Sequence, residues 1–296
     1  GDVYKRQVDK QSENIKDFED EQIKSAYLKE VLRIIGNSRE EDTTPVLSES
    51  VQKAYEKYFG ETMDYGPIKH SFNQKMLLAE AAIRKEIEGA ENPLSCALSF
   101  ARTGNYIDFG ALREVKDSVL DMLVSEAGKK QVDEETLKRF VKDLEKGGSL
   151  VYLTDNCGEI VLDKLLMEFL KNQYPNLQIT AIVRGEAVLN DATYEDAKET
   201  GLTEVVPVIG NGTGIAGTSL RDISQEASRL IHSADVIISK GQGNFESLHG
   251  CGLNIYYLFL CKCDWFVKRF QMEKNGGIFI HESTLGSDGI YIVRQK

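Results

Sequence analysis

The sequence predicts an α/β protein. A largely parallel, Rossmann-like sheet, covered on both faces, is expected over residues 149–296, behind an all-helical region over 1–148. Three observations predict it. Up to residue 146 apolar residues recur at the helical period of 3.6, and no β alternation appears. After Gly147-Gly148, short apolar runs alternate with helical stretches, the pattern of strands joined by crossover helices. The 296 residues are 41% hydrophobic and 28% charged, ordinary globular composition with enough apolar matter for a sizeable core.

The elements follow in order. The opening stretch 1–7 reads unlike a natural start and is given no structural weight. A helix is expected over 13–36, with Ile15, Phe18, Ile23, Tyr27, Leu28, Val31, Leu32 and Ile35 on one face and Gly36 as its stop. Further helices are expected over 48–60, 70–93 and 93–104, each ended by glycine or proline, and then around 111–127 and 133–146. Strands are expected at 149–154, 178–184, 204–210, 235–239, 254–261, 276–281 and 289–294. Helices are expected at 158–172, 190–201 and 219–234, with a helical stretch after residue 261.

Composition excludes several functions. Asp and Glu outnumber Lys and Arg by 47 to 36, a net charge of −11, which repels a nucleic-acid backbone. An anionic substrate therefore needs local positive charge or a metal ion. No apolar run approaches the ~18 residues that span a bilayer, and no signal peptide is visible. The five cysteines (Cys96, Cys157, Cys251, Cys261 and Cys263) form no C-x-x-C pair, so reduced thiols and a cytoplasmic location are expected.

In a parallel sheet all strand carboxyl ends lie on one edge, where open α/β sheets keep their chemistry. Strand 149–154 hands over to Asp155-Asn156 and Gly158-Glu159. Strand 178–184 is followed by Arg184-Gly185 and then Asn190-Asp191. Strand 235–239 is followed by Lys240, Gly241, Gln242, Gly243 and Asn244, then Glu246. Taken singly, these residues could cap helices or decorate turns. Together they supply two carboxylates and an amide oxygen for a hard cation, with a lysine and helix N-termini for an anion.

The segments "TDNCGEIVLDKLL", "RGEAVLNDAT", "ADVIISKGQGNFESL" and "GNYIDFG" resemble the metal-dependent damage-control phosphatase family, long catalogued as domain of unknown function eighty-nine. The resemblance runs from about Asn92 to the end of the chain and suits the prokaryotic-type branch. The chain lacks the Cys-x-x-Cys pair of that branch, and Cys157 replaces another small residue. The resemblance implies a three-layer α/β/α core, one divalent cation (Mn, Co, Ni or Mg) and hydrolysis of phosphate monoesters of sugars or damaged metabolites. It implies Asp155, Asn156 and Asp191 as metal ligands, Lys240 with residues 241–244 around the phosphate, and Glu246 reaching the substrate. Gly158, Glu159 and Arg184 are expected to touch substrate, with Asn105 and Asp108 lining the site from the helical part. Oxygen-only ligands suit Mg²⁺ or Mn²⁺, and such an ion polarises a phosphoryl oxygen and acidifies a bound water. Water is the expected nucleophile, with Asp155 as the alternative.

A competing motif is Gly212-x-Gly214-x-x-Gly217, a dinucleotide-type glycine loop between a strand and a helix. The next strand ends in Lys240 rather than the acid that would hold a ribose. The competing reading is an S-adenosylmethionine-dependent carboxyl methyltransferase or a nucleotide-binding module. His70, His232, His249 and His281 form no metal-type pair, although His249 lies near the Lys240 segment. No G-x-S-x-G elbow is present.

Overall fold

The computed structural model describes residues 2–39, 41–60, 64–104, 127, 132–262 and 264–286. At its centre is a six-stranded sheet in the order β3-β2-β1-β4-β5-β6. The strands are β1 (Ser149–Leu153), β2 (Gln178–Val183), β3 (Val208–Gly210), β4 (Val236–Lys240), β5 (Ile255–Leu260) and β6 (Gly277–His281). The first five pair in parallel and β6 runs antiparallel to β5. The chain moves outward from β1 to β3 and then restarts at β4 on the other side of β1. Strand order thus reverses between β1 and β4, and such a reversal opens a crevice at the strand carboxyl ends. Leu153 of β1 sits beside Ser239 of β4, so the residues that follow them share that crevice.

Side chains alternate between the two faces of a strand. Leu150, Tyr152, Val236 and Ile238 join one apolar cluster, and Val151, Leu153, Ile237 and Tyr257 join the other. The first face is covered by α4 (Gly66–Gly89), α5 (Pro93–Thr103), α6 (Glu134–Lys146), α7 (Glu159–Gln173), α8 (Tyr194–Glu199) and α9 (Leu202–Val205). The second is covered by α10 (Gln225–Ser233), α11 (Gly241–Leu248) and α12 (Asp264–Phe270). Phe245 of α11 is fully buried, with its ring packed on Tyr257, Phe259, Phe266 and Phe270. Truncating such a ring to alanine costs about 3–5 kcal/mol. The remaining helices, α1 (Asp2–Asn14), α2 (Glu21–Gly36) and α3 (Thr44–Phe59), bury Ile15, Tyr27, Val31, Val51 and Ala54 among themselves. The start of α3 brings Pro45 against Gly217, and the helix packs on α11.

The α/β/α architecture is the one expected, but several boundaries differ. The single helix expected over 13–36 is broken, because the Asp20 carboxylate accepts the Gln22 and Ile23 amides and starts α2. The opening residues, given no structure, belong to α1 from Asp2 onward. The strand expected over 204–210 shortens to β3. Gly201, at φ 77°, starts a turn that buries Leu202, and Pro207 follows that turn. The helix expected from 219 begins at Gln225, where Ser224 Oγ accepts the Ala227 amide. Residues 241–244 form the first turn of α11 instead of a loop. The helix expected around 111–127, residue 127 apart, the strand at 289–294 and Cys263 lie outside the described residues.

Candidate active site

Main-chain bonds stitch the end of β1 to the segment after β2. Asn156 and Asp191 form an antiparallel bridge. The Ala192 amide donates to Asp155 O at 2.7 Å, and the Cys157 amide to Asn190 O at 2.8 Å. Helix α7 then begins without a side-chain cap, so Asp155 and Asn156 are not capping residues here. The Gly158 amide is taken instead by Asn73 Oδ1 of α4, at 2.7 Å. Asn73 also donates to Asp196 (2.9 Å) and Glu199 (2.8 Å), and Lys69 pairs with Asp196 at 2.6 Å. These α4 residues clamp the two site segments together. Sequence reasoning missed them, although two polar residues on the buried face of α4 break its apolar pattern.

The polar side chains converge on the same crevice. Asn156 Nδ2 donates to Asp155 Oδ2 (2.7 Å) and Glu159 Oε2 (3.0 Å), while its Oδ1 accepts from Asn190 (2.9 Å). Two carboxylates therefore fix which way the amide points. Arg184 Nε donates to Asp191 Oδ2 at 2.6 Å, and its Nη1 donates to Gly217 O and Asn244 Oδ1. Its Nη2 lies 3.7 Å from Asp155 Oδ1 and is buried without a hydrogen-bond partner. Asn244 in turn donates to Thr154 O and Lys240 O, which locks the start of α11 against β1. Burial, then repulsion from Asp191 and Glu159, raises the Asp155 carboxyl to about 7. Burial also raises Asp191, with Arg184 opposing it. One guanidinium thus faces two crowded carboxylates.

These residues fit a hard divalent cation. The donors are two carboxylates and an amide oxygen, a set suited to Mg²⁺ or Mn²⁺. Gly241, at φ 79°, keeps the space beside them open, because a Cβ there would collide with the Asp155 carboxylate. Among the described residues no three His, Cys, Asp or Glu side chains cluster into a metal cage. Three protein ligands would leave such an ion with coordination positions for water and substrate.

Other expected site residues are placed differently. Lys240 is fully buried, its ammonium 2.5 Å from both Glu159 Oε1 and Asp163 Oδ1, and Tyr152 donates to Asp163 at 2.7 Å. Burial alone would lower the Lys240 pKa, but the two carboxylates hold it above the ordinary lysine range. Lys240 and Glu159, both expected to touch substrate, are enclosed in this structure. The physical reason is that Glu159 and Asp163, one helical turn apart on α7, lie beneath the end of β4. Glu159 reaches the crevice through Asn156, whose Nδ2 donates to its Oε2. Gly158 is buried against Phe72 and Met76, with its amide committed to Asn73. Gln242 is half-buried at the start of α11, with Nε2 enclosed and unpartnered, and Glu246 is half-buried on the same helix. Gly243 packs on Ala216 O. Asn105 and Asp108 lie outside the described residues.

The remaining candidates are structural. Burial pushes the Cys157 thiol up to about 12, so it stays protonated near neutral pH. In the 212–217 loop the glycines serve main-chain packing: Gly212 lies against Gly185, and Gly217 against Gly243 O and Ser247. His249 stacks on Phe245 and bonds to its carbonyl.

Comparison with known proteins bears on this geometry. The family model described as the Damage-control phosphatase ARMT1-like domain matches residues 2–276. An uncharacterized protein of Methanocaldococcus jannaschii, MJ0202, is 31% identical over 293 residues, 95% of this chain and 91% of that protein. A damage-control phosphatase of Archaeoglobus fulgidus is 29% identical over 83% of this chain and 85% of its own length. Damage-control phosphatase PH1575 of Pyrococcus horikoshii is 32% identical over 60% of this chain and 61% of its own. The crystal structure of PH1575, a DUF89 family protein, matches with a TM-score of 0.79 at 23% identity, covering 95% of this chain and 98% of that one. That likeness shows a shared fold.

Proposed function

Because the chain belongs to the damage-control phosphatase family and is a phosphatase, we propose that it hydrolyses phosphate monoesters of small metabolites, sugar phosphates or damaged phosphometabolites, with a divalent cation at Asp155, Asn156 and Asp191. The observation that carries this reading is the crowding of Asp155 and Asp191 around a single guanidinium at the β1/β4 reversal. When bound, Mn²⁺, Co²⁺, Ni²⁺ or Mg²⁺ would polarise a phosphoryl oxygen and offset its charge.

The chain's own groups do the rest. Glu159 and Asp155 hold the Asn156 amide in one orientation, so its oxygen is presented without a search over rotamers. Arg184 Nη2 and Gln242 Nε2, buried and without a hydrogen-bond partner, are donors available to phosphoryl oxygens. The first amides of α11, which no side chain caps, add positive potential beside Asp155. Such prearranged donors stabilise charge as it develops without reorganising. Water is the nucleophile in this reading.

The test is hydrolysis of p-nitrophenyl phosphate by the purified chain, stripped with EDTA and resupplied with Mn²⁺, Co²⁺, Ni²⁺ or Mg²⁺ in turn. Turnover should return with metal and be absent from Asp191→Ala. Equal turnover in EDTA would sink the metal requirement. No turnover with any metal, followed by none on a panel of sugar phosphates, would sink the substrate class.

A further inference from the structure

Asn73 is fully buried on the inner face of α4, whose other buried residues include Phe72, Met76 and Ile83. An amide enclosed on an apolar face is costly unless its polar groups are paired. Those of Asn73 are paired, and every partner lies on another element. Its oxygen accepts the Gly158 amide, and its nitrogen donates to Asp196 and Glu199. An aspartate could not make this set, because a carboxylate donates nothing. A leucine of similar volume would make none of it.

The partners border the two ligand segments. Gly158 stands two residues beyond Asn156, where the chain turns from β1 into α7. Asp196 Oδ2 accepts the Thr193 amide and the Thr193 hydroxyl, both at 2.8 Å, at the start of α8. Thr193 stands two residues beyond Asp191. Lys69, one turn before Asn73 on α4, pairs with Asp196 and offsets its charge. On the crevice side the segments are already joined by the Asn156–Asp191 bridge and by the Cys157 amide to Asn190 O. Asn73 adds a second fixed point behind that bridge. One point fixes a distance between two segments; two points also fix their direction.

Resting on the metal-dependent reading above, we propose that Asn73 is a positioning residue for the cation, which holds the Gly158 turn and the start of α8 so that Asn156 and Asp191 face one ion. Groups that orient metal ligands from behind change metal affinity by about ten- to a hundredfold when removed.

The experiment is calorimetric titration of Mn²⁺ into the full chain, stripped of metal and held well below its melting temperature. Asp191→Ala marks which binding belongs to the site. Asn73→Leu and Asn73→Asp should each weaken Mn²⁺ by about tenfold or more. Their hydrolysis of p-nitrophenyl phosphate, low at limiting Mn²⁺, should recover as Mn²⁺ is raised. Asn73→Ser replaces either variant should it fail to fold. Glu80→Gln is the structural control. It weakens another contact between α4 and α7, Glu80 to Lys164 at 2.9 Å, about two turns further along α4. It should lower the melting temperature and leave Mn²⁺ affinity at the wild-type value. Wild-type Mn²⁺ affinity in folded Asn73→Leu would overturn the assignment and leave the metal reading standing, since the main-chain bridge would then suffice. An equal loss of affinity in Glu80→Gln would overturn it too, as a general loosening of α4. A wild type that binds none of Mn²⁺, Co²⁺, Ni²⁺ and Mg²⁺, or binds them no better than Asp191→Ala, would overturn both.

Discussion

The two edges of the sheet use the same residue types in opposite ways. At the amino edge, Asp235 precedes β4 and its Oδ2 accepts the Gly148 amide (2.8 Å), the Ser149 amide (2.9 Å) and Ser149 Oγ (2.9 Å). Those bonds, the Gly148 amide foremost, hold its carboxyl below the usual range. At the carboxyl edge, Asp155 follows β1, and burial and a facing carboxylate raise it to about 7. Both aspartates border strands. One is satisfied by the turn it organises, and the other is left in conflict with its neighbours. An aspartate at a strand boundary is thus structural when its bonds complete a turn and functional when it is buried against other carboxylates.

The sharpest way to break this comparison is to remove the conflicted side. Asp155→Ala or Asp191→Ala should lower kcat/KM by about a thousandfold or more, or ~4 kcal/mol of transition-state stabilisation. The same Asp155→Ala protein, measured without metal, should melt no lower than wild type, because a buried carboxylate has been removed from beside another. Loss of activity accompanied by a large drop in melting temperature would mean that Asp155 is held by bonds the fold depends on, and the contrast with Asp235 would fall.

Next in size is the enclosed cluster under the crevice. Lys240→Met leaves Glu159 and Asp163 buried without their cation, which costs about 3–5 kcal/mol where a buried pair loses one partner. Chemical denaturation should show that loss. A double variant, Lys240→Met with Asp163→Leu, should recover part of it, because it removes an uncompensated charge. If Lys240→Met unfolds like wild type but loses phosphate affinity, Lys240 itself meets the substrate.

The difference between the edges was only half legible in the sequence. Strands showed as short apolar runs because parallel strands are buried on both faces. Asp155, Asn156 and Asp191 showed because each stands where a strand hands over to a helix. The direction of Lys240 was harder to read, although a signal existed. Two-residue alternation puts it on the face of Val236 and Ile238, which α7 covers, so its ammonium had to meet whatever α7 carried there. That α7 carries Glu159 and Asp163 at that level depends on packing register, which no local pattern encodes. Asn73 and Lys69 were hidden for the same reason, since their partners lie more than a hundred residues along the chain. The break between α1 and α2 had a readable cap in Asp20, which the apolar period overrode.

On the satisfied side, the expected effects are smaller. Asp235→Ala should leave kcat/KM near wild type, because the residue lies at the edge away from the crevice. It should lower the melting temperature by about 2–4 °C, the loss of roughly one net hydrogen bond's worth of stability in a chain of this size. A fall in activity without a fall in melting temperature would show that the two edges are coupled.

The smallest effect is a pH dependence at that same edge. His281 closes β6, with Nε2 donating to Asn254 Oδ1 at 2.7 Å and Nδ1 accepting the Ser283 amide at 3.0 Å. A proton on Nδ1 would point at that amide, so the neutral ring is the one the fold accommodates. Burial lowers the ring's pKa to about 4. Arg139 of α6 pushes it further down and Asp143 of α6 opposes, while Tyr256 of β5 packs edge-on against the ring. An unfolded chain takes up this proton near pH 6.5, and the folded chain refuses it until about pH 4. Over that window the unfolded state binds more protons, so the contribution of His281 is fully present above about 6.5 and is lost as pH falls. Melting temperatures of wild type and His281→Gln between pH 4.5 and 7.5 isolate it from the carboxylates that titrate in both proteins. The wild type should lose a few degrees more than the variant on acidification, while turnover at neutral pH stays unchanged. Parallel melting curves would mean that the ring is already charged in the folded state, and that the amino edge is not as fully satisfied as its bonds indicate.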